Sequence, residues 1–340
     1  MSTGQGVGDA TRCPSGTPFS FELYPPRNEA AALALPGTIR RLASVGPRFM
    51  SVTYGAGGSS HASSLDVVRV ILNETDVEPM AHLTCVGSSH EQAARTIREF
   101  LDAGVKRFLA IRGDQPAGEE DAPLGDLRSS SELVQLIHRI QAERAPYREV
   151  PVPGLPHASE VRSGEKVTIA VAAFPNGHPR SRSMDQDIDT LLAKQAAGAN
   201  LAITQLFFHA SDYFAFADRA KRAGVAFPIL PGIMPVTSIA RLRRHLELSG
   251  EDMPSDLAIQ LEVEPTDEGR REIGIEHAVR FAEQLVAGGA PGIHLYTFNQ
   301  AQTALDVLER CGLIDSGALD DSVAGSPAAS PSTRNQKEPA

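Results

Sequence analysis

Several common signals of protein chemistry are scarce or missing in this sequence. Its 340 residues contain only three cysteines, Cys13, Cys85 and Cys311, which are far apart and form no CxxC pair. Scattered thiols indicate neither a disulfide framework nor a zinc site, and they are typical of a reducing compartment. The sequence also lacks HExxH, Walker and GxSxG motifs. The usual signatures of metal-dependent, nucleotide and serine hydrolysis are therefore missing.

Positive charge and long apolar runs are scarce as well. The chain has 32 Lys and Arg against 42 Asp and Glu, a formal charge of −10, and no long basic run. This balance argues against nucleic acid or an anionic membrane as a partner. No stretch approaches the roughly 18 apolar residues of a membrane span, and the N-terminus lacks the features of a signal peptide. We therefore expect a cytoplasmic protein of small-molecule metabolism.

What the sequence does contain is an alternation of short apolar runs with Ala-, Leu- and Arg-rich segments of helical period. Eight runs predict strands, at 19–24, 49–54, 80–85, 107–112, 168–174, 201–207, 227–232 and 292–297. The segments between them predict helices at 29–45, 64–73, 90–103, 130–143, 184–197, 211–223, 238–246 and 274–287. The first helix is expected to break near Pro36. Apolar strands alternating with helices are typical of an α/β fold, a (β/α)8 TIM barrel.

Composition predicts a single domain with two disordered tails. Residues 1–17 are small and polar, and residues 316–340 are rich in Ser, Pro, Ala and Gly. The barrel is expected to occupy residues 18–315, with a longer Pro- and Gly-rich segment at about 115–167. A second long interval contains an acidic stretch at 261–268.

Polar residues follow nearly every predicted strand. The active site of such a barrel forms at the C-terminal ends of its strands, so these side chains are expected to meet. Taken singly, a strand-end Thr or Gln can satisfy backbone groups, and His82 can be a hydrogen-bonded core histidine. Their recurrence on strands that are otherwise apolar favours a binding site. The residues are Glu22, Thr53, Tyr54, His82, Thr84, Arg112, Asp114, Phe174, His178, Gln205, Thr297 and Asn299.

Eight segments, in order, resemble the methylenetetrahydrofolate reductase family. They are FSFELYPPR (19–27), FMSVTYGAGG (49–58), AHLTC (81–85), LAIRGDQP (109–116), VAAFPNGHP (171–179), AGANLAITQLFF (197–208), ILPGIMPV (229–236) and GIHLYTFN (292–299). The resemblance implies a bacterial-type catalytic barrel, without an appended regulatory domain. It also implies FAD-dependent, ping-pong reduction of methylenetetrahydrofolate by NADH or NADPH, which supplies methyl groups for methionine synthesis. A homo-oligomer with no metal is expected.

The resemblance also implies roles for individual residues. Glu22 matches the general acid, and Asp114 matches the acid that tunes the flavin. Substrate contacts are implied for Thr53, Gln205 and Gln300. Flavin contacts are implied for Tyr54, Ala56, His82, Arg112, Gly113, Asp114, Phe174, His178, Asp187 and Lys194. Cationic Arg112 and Lys194 suit the flavin pyrophosphate.

This chain departs from the best-known bacterial pattern at a few of these positions. Phe174 stands in place of a Tyr, Ala193 in place of an Arg, and Gln300 in place of an Arg. Arg241 and His245 replace a Gln and a Phe on the helix after the seventh strand. Two alternatives therefore remain open. One is a flavin-independent pterin-binding transferase of the same fold, and the other is a folate- or flavin-binding homologue without catalysis.

Glu22 raises a question of proton affinity. An ordinary glutamate is ionised at neutral pH, whereas a general acid must hold a proton. We expect Phe19, Phe21 and Tyr24 to desolvate Glu22, with flavin and folate covering the mouth, and so to raise its pKa. Asp114, which follows Arg112 and a glycine, is expected to stay ionised beside the flavin.

Overall fold

The computed structural model describes residues 13–14, 16–54, 61–113, 125–144, 148–151, 159–162 and 167–315. The strands are β1 (Phe19–Leu23), β2 (Met50–Val52), β3 (Pro79–Thr84), β4 (Arg107–Ile111), β5 (Arg148–Pro151), β6 (Ser159–Arg162), β7 (Thr168–Ala173), β8 (Leu201–Thr204), β9 (Ile229–Leu230), β10 (Gly232–Ile233) and β11 (Ile293–Tyr296). The helices are α1 (Glu29–Ala43), α2 (His61–Glu74), α3 (His90–Asp102), α4 (Ser130–Arg144), α5 (Met184–Ala196), α6 (Ala210–Ala223), α7 (Ile239–Ser249), α8 (Ser255–Val263), α9 (Asp267–Ala287) and α10 (Ala301–Arg310).

Nine of these strands form one parallel sheet that closes into a barrel. Their order is β10, β11, β1, β2, β3, β4, β7, β8 and β9. β9 pairs with β8 and β10 with β11, and the two short strands flank Pro231, which has no N–H to donate. The carbonyl of Pro231 still accepts from His294 N at 2.9 Å. The predicted seventh strand is thus one strand interrupted by proline, and the predicted (β/α)8 TIM barrel is confirmed.

The helix α1 differs from its prediction, because it continues through Pro36 instead of breaking there. A proline inside a helix costs about 3 kcal/mol. Two features of α1 oppose this cost. The side chain of Asn28 caps its first turn, and an apolar stripe that includes Ile39 and Leu42 is fully buried on the barrel.

The acidic stretch at 261–268 turned out to be a junction between two helices. It contains the end of α8, a short turn, and the start of α9 at Asp267. The Thr266 side chain accepts from Gly269 N, and Asp267 and Glu268 occupy the first turn, where negative charge is favourable. Within the described ranges, no helix is long and apolar enough to cross a membrane.

The side chains of β1 alternate between two environments. Phe19, Phe21 and Leu23 pack in the main core between the barrel and its helices. Ser20 and Glu22 point the other way, into the barrel. A second set of inward side chains is purely apolar, and we call it the apolar lumen cluster. It consists of Phe49, Met80, Leu109, Ala170, Leu201 and Ile203.

The inner part of the predicted N-terminal tail is held against the last helix. Cys13 is buried, and its backbone N–H donates to Cys311 O at 2.9 Å. Of the predicted N-terminal tail the structure describes residues 13–14 and 16–17, while residues 1–12 and 316–340 lie outside the described ranges.

Candidate active site

Glu22 is the centre of a buried polar group inside the barrel. Its side chain is 8% exposed, and its Oε2 lies 3.6 Å from His82 Nε2 on β3 and 3.7 Å from His294 Nε2 on β11. The hydroxyl of Thr53, which follows β2, lies 3.2 Å from Glu22 Oε1. We call Glu22, Thr53, His82 and His294 the acid–histidine cluster. Four neighbouring strands therefore deliver these side chains to one point.

The chain just after β1 is held rigidly against the chain after β11. Asn299 Oδ1 accepts from Tyr24 N at 3.0 Å, and Asn299 Nδ2 donates to Tyr24 O at 2.8 Å. Phe298 stacks on the Tyr24 ring with centroids 5.3 Å apart. Both Phe298 and Asn299 have left-handed backbones, with φ of 50° and 60°. Such strain persists where surrounding contacts enforce it, and it clusters at functional sites.

The electrostatics of the cluster differ from the sequence-based expectation. Burial acts to raise the pKa of Glu22, whereas the neighbouring imidazoles of His294 and His82 lower it. With a hydrogen bond from the Tyr24 hydroxyl added, the lowering influences prevail, and the pKa of Glu22 lies below its ordinary value. Burial lowers the pKa of His82 to about 4, although the Glu22 carboxylate opposes this.

In the site without ligands the pKa of Glu22 is therefore lowered and not raised, while the expectation for the site covered by flavin and folate stays a prediction. The reason for the lowering is strand alternation, because Phe19 and Phe21 face the helices, on the opposite side of β1 from Glu22. The side chains that do surround Glu22 are donors, which favour the carboxylate form. At neutral pH the site holds an ionised Glu22 beside a neutral His82.

A second group of predicted residues assembles beyond β4 and β7. Lys194 on α5 is buried, and its Nζ donates to Ala172 O at 2.8 Å. Burial lowers the pKa of Lys194 to about 8, with Asp187 opposing the shift and Arg112 reinforcing it. The buried ammonium of Lys194 therefore feels both a carboxylate and a guanidinium.

Asp187 also shapes the loop between β7 and α5. Its Oδ2 accepts from His178 N at 3.1 Å, and its Oδ1 accepts from the Ser181 hydroxyl at 2.6 Å. The rings of Phe174 and His178 meet edge to face with centroids 4.7 Å apart. Asp187, Phe174 and His178 are therefore brought together at the same end of the barrel as the acid–histidine cluster.

The remaining predicted positions vary in what the structure places around them. Half-buried Gln205 follows β8, and its side-chain oxygen accepts from Leu206 N at 2.8 Å. Gln300 is exposed at the N-terminus of α10. Half-buried Tyr54 follows β2, where burial and Glu99 raise its pKa. Predicted Ala56 and Asp114 lie outside the described residues.

The substituted positions on α7 form a small stacked group over the end of β11. The Arg241 guanidinium lies 5.1 Å from the centroid of the Phe298 ring, and the His245 ring centroid lies 5.0 Å from the same ring. Burial and two neighbouring arginines lower the pKa of His245. The cation of Arg241 is thereby oriented by an aromatic face.

Sequence reasoning missed Ser20 and His294. His294 is fully buried in β11, and its Nδ1 lies 2.7 Å from Ser20 Oγ. The segment GIHLYTFN was noted for the polar residues at its end, Thr297 and Asn299, and not for the histidine inside it. The signal that could have found His294 is the alternation of side chains along a strand. His294 lies on the same face of β11 as Tyr296, which is two residues nearer the site.

The fold and the site define a class: a TIM-barrel protein with an acid–base group at the C-terminal ends of its strands. The chain belongs to the methylenetetrahydrofolate reductase family, whose sequence model matches residues 11–312.

Individual relatives agree with this assignment. The 5,10-methylenetetrahydrofolate reductase of Salmonella typhimurium is 30% identical over 295 residues, which cover 86% of this chain and 90% of that protein. Methylenetetrahydrofolate reductase 1 of Schizosaccharomyces pombe is 31% identical, with 87% of this chain and 46% of that protein covered. Methylenetetrahydrofolate reductase (NADH) 1 of Arabidopsis thaliana is 30% identical, and the match covers 90% of this chain and 50% of that protein. The chain thus spans about half the length of these two eukaryotic relatives.

A solved structure shares the fold. It is an uncharacterized protein from Clostridium thermocellum, described as binding two copies of 5-methyl-5,6,7,8-tetrahydrofolic acid. The TM-score is 0.57 at 12% sequence identity, and the match covers 87% of this chain and 96% of that one. At this identity the likeness concerns the barrel architecture.

Proposed function

We propose that this chain reduces methylenetetrahydrofolate to methyltetrahydrofolate, with FAD as cofactor and NADH or NADPH as reductant. The observation that carries the proposal is the acid–histidine cluster, a buried carboxylate with two imidazoles at the catalytic end of a barrel of this family. The name of the Arabidopsis relative includes NADH, which favours NADH as the reductant. We further propose a cytoplasmic homo-oligomer that supplies methyl groups for methionine synthesis.

The residues around Lys194 fit the pyrophosphate of FAD. Lys194 and Arg112 carry two positive charges against the one negative charge of Asp187, so phosphate oxygens would be favourable partners there. Gly113 has φ of +86°, and a Cβ there would lie 2.8 Å from Val86 Cγ1, so a side chain is excluded beside Arg112. When bound, FAD would accept hydride from the nicotinamide and deliver it to the folate in two separate half-reactions.

Glu22 is proposed to supply the proton of the folate half-reaction. Opening the five-membered ring of the substrate leaves a nitrogen that must be protonated as its bond to carbon breaks. The pKa of Glu22 lies below its ordinary value in the ligand-free site, so Glu22 must gain its proton in the complex. Added negative charge or further desolvation raises the pKa of a carboxyl group, and both accompany filling of the site.

The supporting roles are proposed on the same basis. Thr53 lies 3.2 Å from the Glu22 carboxylate, so it can orient that group as well as contact substrate. Gln205 and Gln300 follow β8 and β11 at the same end of the barrel, where the folate and the nicotinamide would bind in turn. Asp114 is proposed to keep a negative charge beside the flavin and so to favour hydride donation.

One anaerobic titration tests the proposal against its rivals. The purified protein is expected to be yellow, to bleach with NADH in the absence of oxygen, and to regain its colour when methylenetetrahydrofolate is added. A colourless protein that binds a pterin but takes up no FAD would favour the flavin-independent transferase. A yellow protein whose colour changes neither with NADH nor with methylenetetrahydrofolate would favour the non-catalytic homologue.

A further inference from the structure

Ser20 and His294 form a hydrogen-bonded pair directly beneath Glu22. They face each other across β1 and β11 in register, and the next inward pair along these strands is Glu22 with Tyr296. Ser20 Oγ lies 2.7 Å from His294 Nδ1, and both residues are almost fully buried. The pair is therefore shielded from water and fixed by the barrel itself.

The distances around Ser20 Oγ favour one placement of the protons in this pair. A serine hydroxyl has one proton, and Ser20 Oγ has two acceptors in reach, His294 Nδ1 at 2.7 Å and Ile293 O at 3.5 Å. An O–H···O bond normally spans about 2.5–3.0 Å, so the carbonyl is too far to compete. Donation by the hydroxyl to Nδ1 is therefore favoured, and a neutral imidazole whose Nδ1 accepts carries its own proton on Nε2.

That Nε2 proton is aimed at the Glu22 carboxylate. His294 Nε2 lies 3.7 Å from Glu22 Oε2, and it is a buried atom without a closer partner among the described residues. The imidazole ring stacks on Phe49 at 5.7 Å and meets Tyr296 edge-on at 5.4 Å, which fixes its plane. The separation exceeds a hydrogen bond, but such contacts tighten when an active site is filled.

We propose that Ser20 and His294 are positioning residues for Glu22. By donating to Nδ1, Ser20 holds His294 in the tautomer that presents Nε2–H to the carboxylate, and this donor sets how readily Glu22 holds a proton. The tautomer stands on the geometry alone, whereas its kinetic consequence rests on the proposed function. The nearest analogy is the carboxylate or carbonyl that fixes the tautomer of a metal-bound histidine.

The other groups that face Glu22 limit how its proton affinity can change. Tyr24 follows β1, Tyr296 lies on β11, and burial raises the pKa of both phenols, so they stay protonated in the useful pH range. His82 on β3 is neutral at these pH values, since burial lowers its pKa to about 4. Removing the Ser20 hydroxyl therefore acts on Glu22 through His294.

Three variants of one serine test the proposal. In Ser20→Ala, Nδ1 loses its donor, so the ring can carry its proton on Nδ1 and turn a lone pair toward the carboxylate. Ser20→Cys keeps nearly the same volume but has only a weak donor, and it replaces the alanine variant if that one fails to fold. Ser20→Thr keeps the hydroxyl and should behave like the unmodified protein.

Ser51→Ala is the matched control. Ser51 lies on β2 opposite Glu22 in register, and its hydroxyl is buried without a hydrogen-bond partner among the described residues. The control therefore removes an equally buried hydroxyl that, among the described residues, forms no hydrogen bond to an imidazole or to the carboxylate.

The first readout is the imidazole tautomer, measured by ¹⁵N NMR of histidine-labelled protein, with His294→Gln used to assign the signal. The unmodified protein, Ser51→Ala and Ser20→Thr are expected to show Nε2-protonated His294, and Ser20→Ala to lose this state. An unchanged tautomer in both Ser20→Ala and Ser20→Cys would overturn the proposal.

The second readout is the pH dependence of the folate half-reaction, measured by anaerobic stopped flow. In Ser20→Ala the pH at which the rate falls is expected to move up by about one unit, because the carboxylate loses a donor. Equal shifts in Ser20→Ala and Ser51→Ala would count against a positioning role. If the NMR result holds but the unmodified protein transfers no hydride to folate, the proposed function fails and the tautomer assignment stands.

Discussion

The barrel interior contains two regions that are chemically opposite, one apolar and one built from polar and ionisable side chains. The apolar lumen cluster has no polar side chain, whereas the acid–histidine cluster has one carboxylate, one hydroxyl and two imidazoles. The boundary between them runs within single strands. On β3, Met80 belongs to the first region and His82, two residues further on and on the same face, to the second.

The difference between the two regions shows how the position of an inward side chain along its strand relates to its chemical role. On β3 the inward side chain nearer the N-terminal end, Met80, only has to fill volume, so it is packed like any core residue. On β1 and β11 the polar side chains extend further down, to Ser20 and His294. Near the C-terminal end the same burial is applied to ionisable groups, and it shifts the pKa of His82 to about 4. Burying groups that can titrate is expensive, so it is expected where a reaction needs it.

The largest effect is expected from removing the acid of the polar region. Glu22→Gln should slow reduction of methylenetetrahydrofolate by about 10²–10⁴-fold, the usual contribution of a general acid, since glutamine cannot donate the proton. Reduction of the flavin by NADH needs no such acid and should be retained. Anaerobic stopped flow separates the two half-reactions, and equal slowing of both would assign Glu22 another role.

A substitution in the apolar lumen cluster should lower the free energy of unfolding and should not affect one half-reaction selectively. Met80→Ala leaves a cavity at a fully buried position, and we expect the free energy of unfolding to fall by about 2–5 kcal/mol. The control Met80→Leu conserves volume and should cost less than about 1.5 kcal/mol. Urea unfolding measures both. A Met80→Ala protein that loses one half-reaction selectively would break the distinction between the two regions.

Lys194 extends the comparison to a cation outside the barrel interior. Its pKa is about 8 in the folded protein, against about 10.4 in an unfolded chain. Between these pH values the unfolded state binds one more proton, so stability rises with pH over this window, by roughly 3 kcal/mol in total. Below pH 8 both states are protonated, and the cost of burying the charge is fully present.

Lys194→Met should abolish this rise and weaken FAD binding, because methionine carries no charge. Urea unfolding at pH 7, 8, 9 and 10 measures the effect as the difference from the unmodified protein, which cancels the titration of tyrosines. Lys221→Met, at an exposed position, is the control and should keep the rise. A pH dependence that is identical in both variants would show that Lys194 is not the group responsible.

Sequence patterns predicted the architecture because the relevant signals are local. Apolar strands alternating with helical segments indicated the barrel, and strand ends indicated where Glu22, Thr53 and His82 would meet. His294 was missed because its partner Ser20 is 274 residues away, and only barrel closure brings β11 beside β1. The sequence also predicted that Phe19 and Phe21 desolvate Glu22, but strand alternation directs both rings away from it.

The smallest effect is expected from a polar residue that the polar region does not use. Ser51 has a buried hydroxyl without a hydrogen-bond partner among the described residues, so Ser51→Ala removes an unpaired group. Its free energy of unfolding should stay the same or rise by up to about 1 kcal/mol. Ser20→Ala instead leaves His294 Nδ1 without its donor and should cost about 1–3 kcal/mol. If the two variants changed stability equally, burial and not hydrogen bonding would govern the polar region, and the contrast with the apolar lumen cluster would be lost.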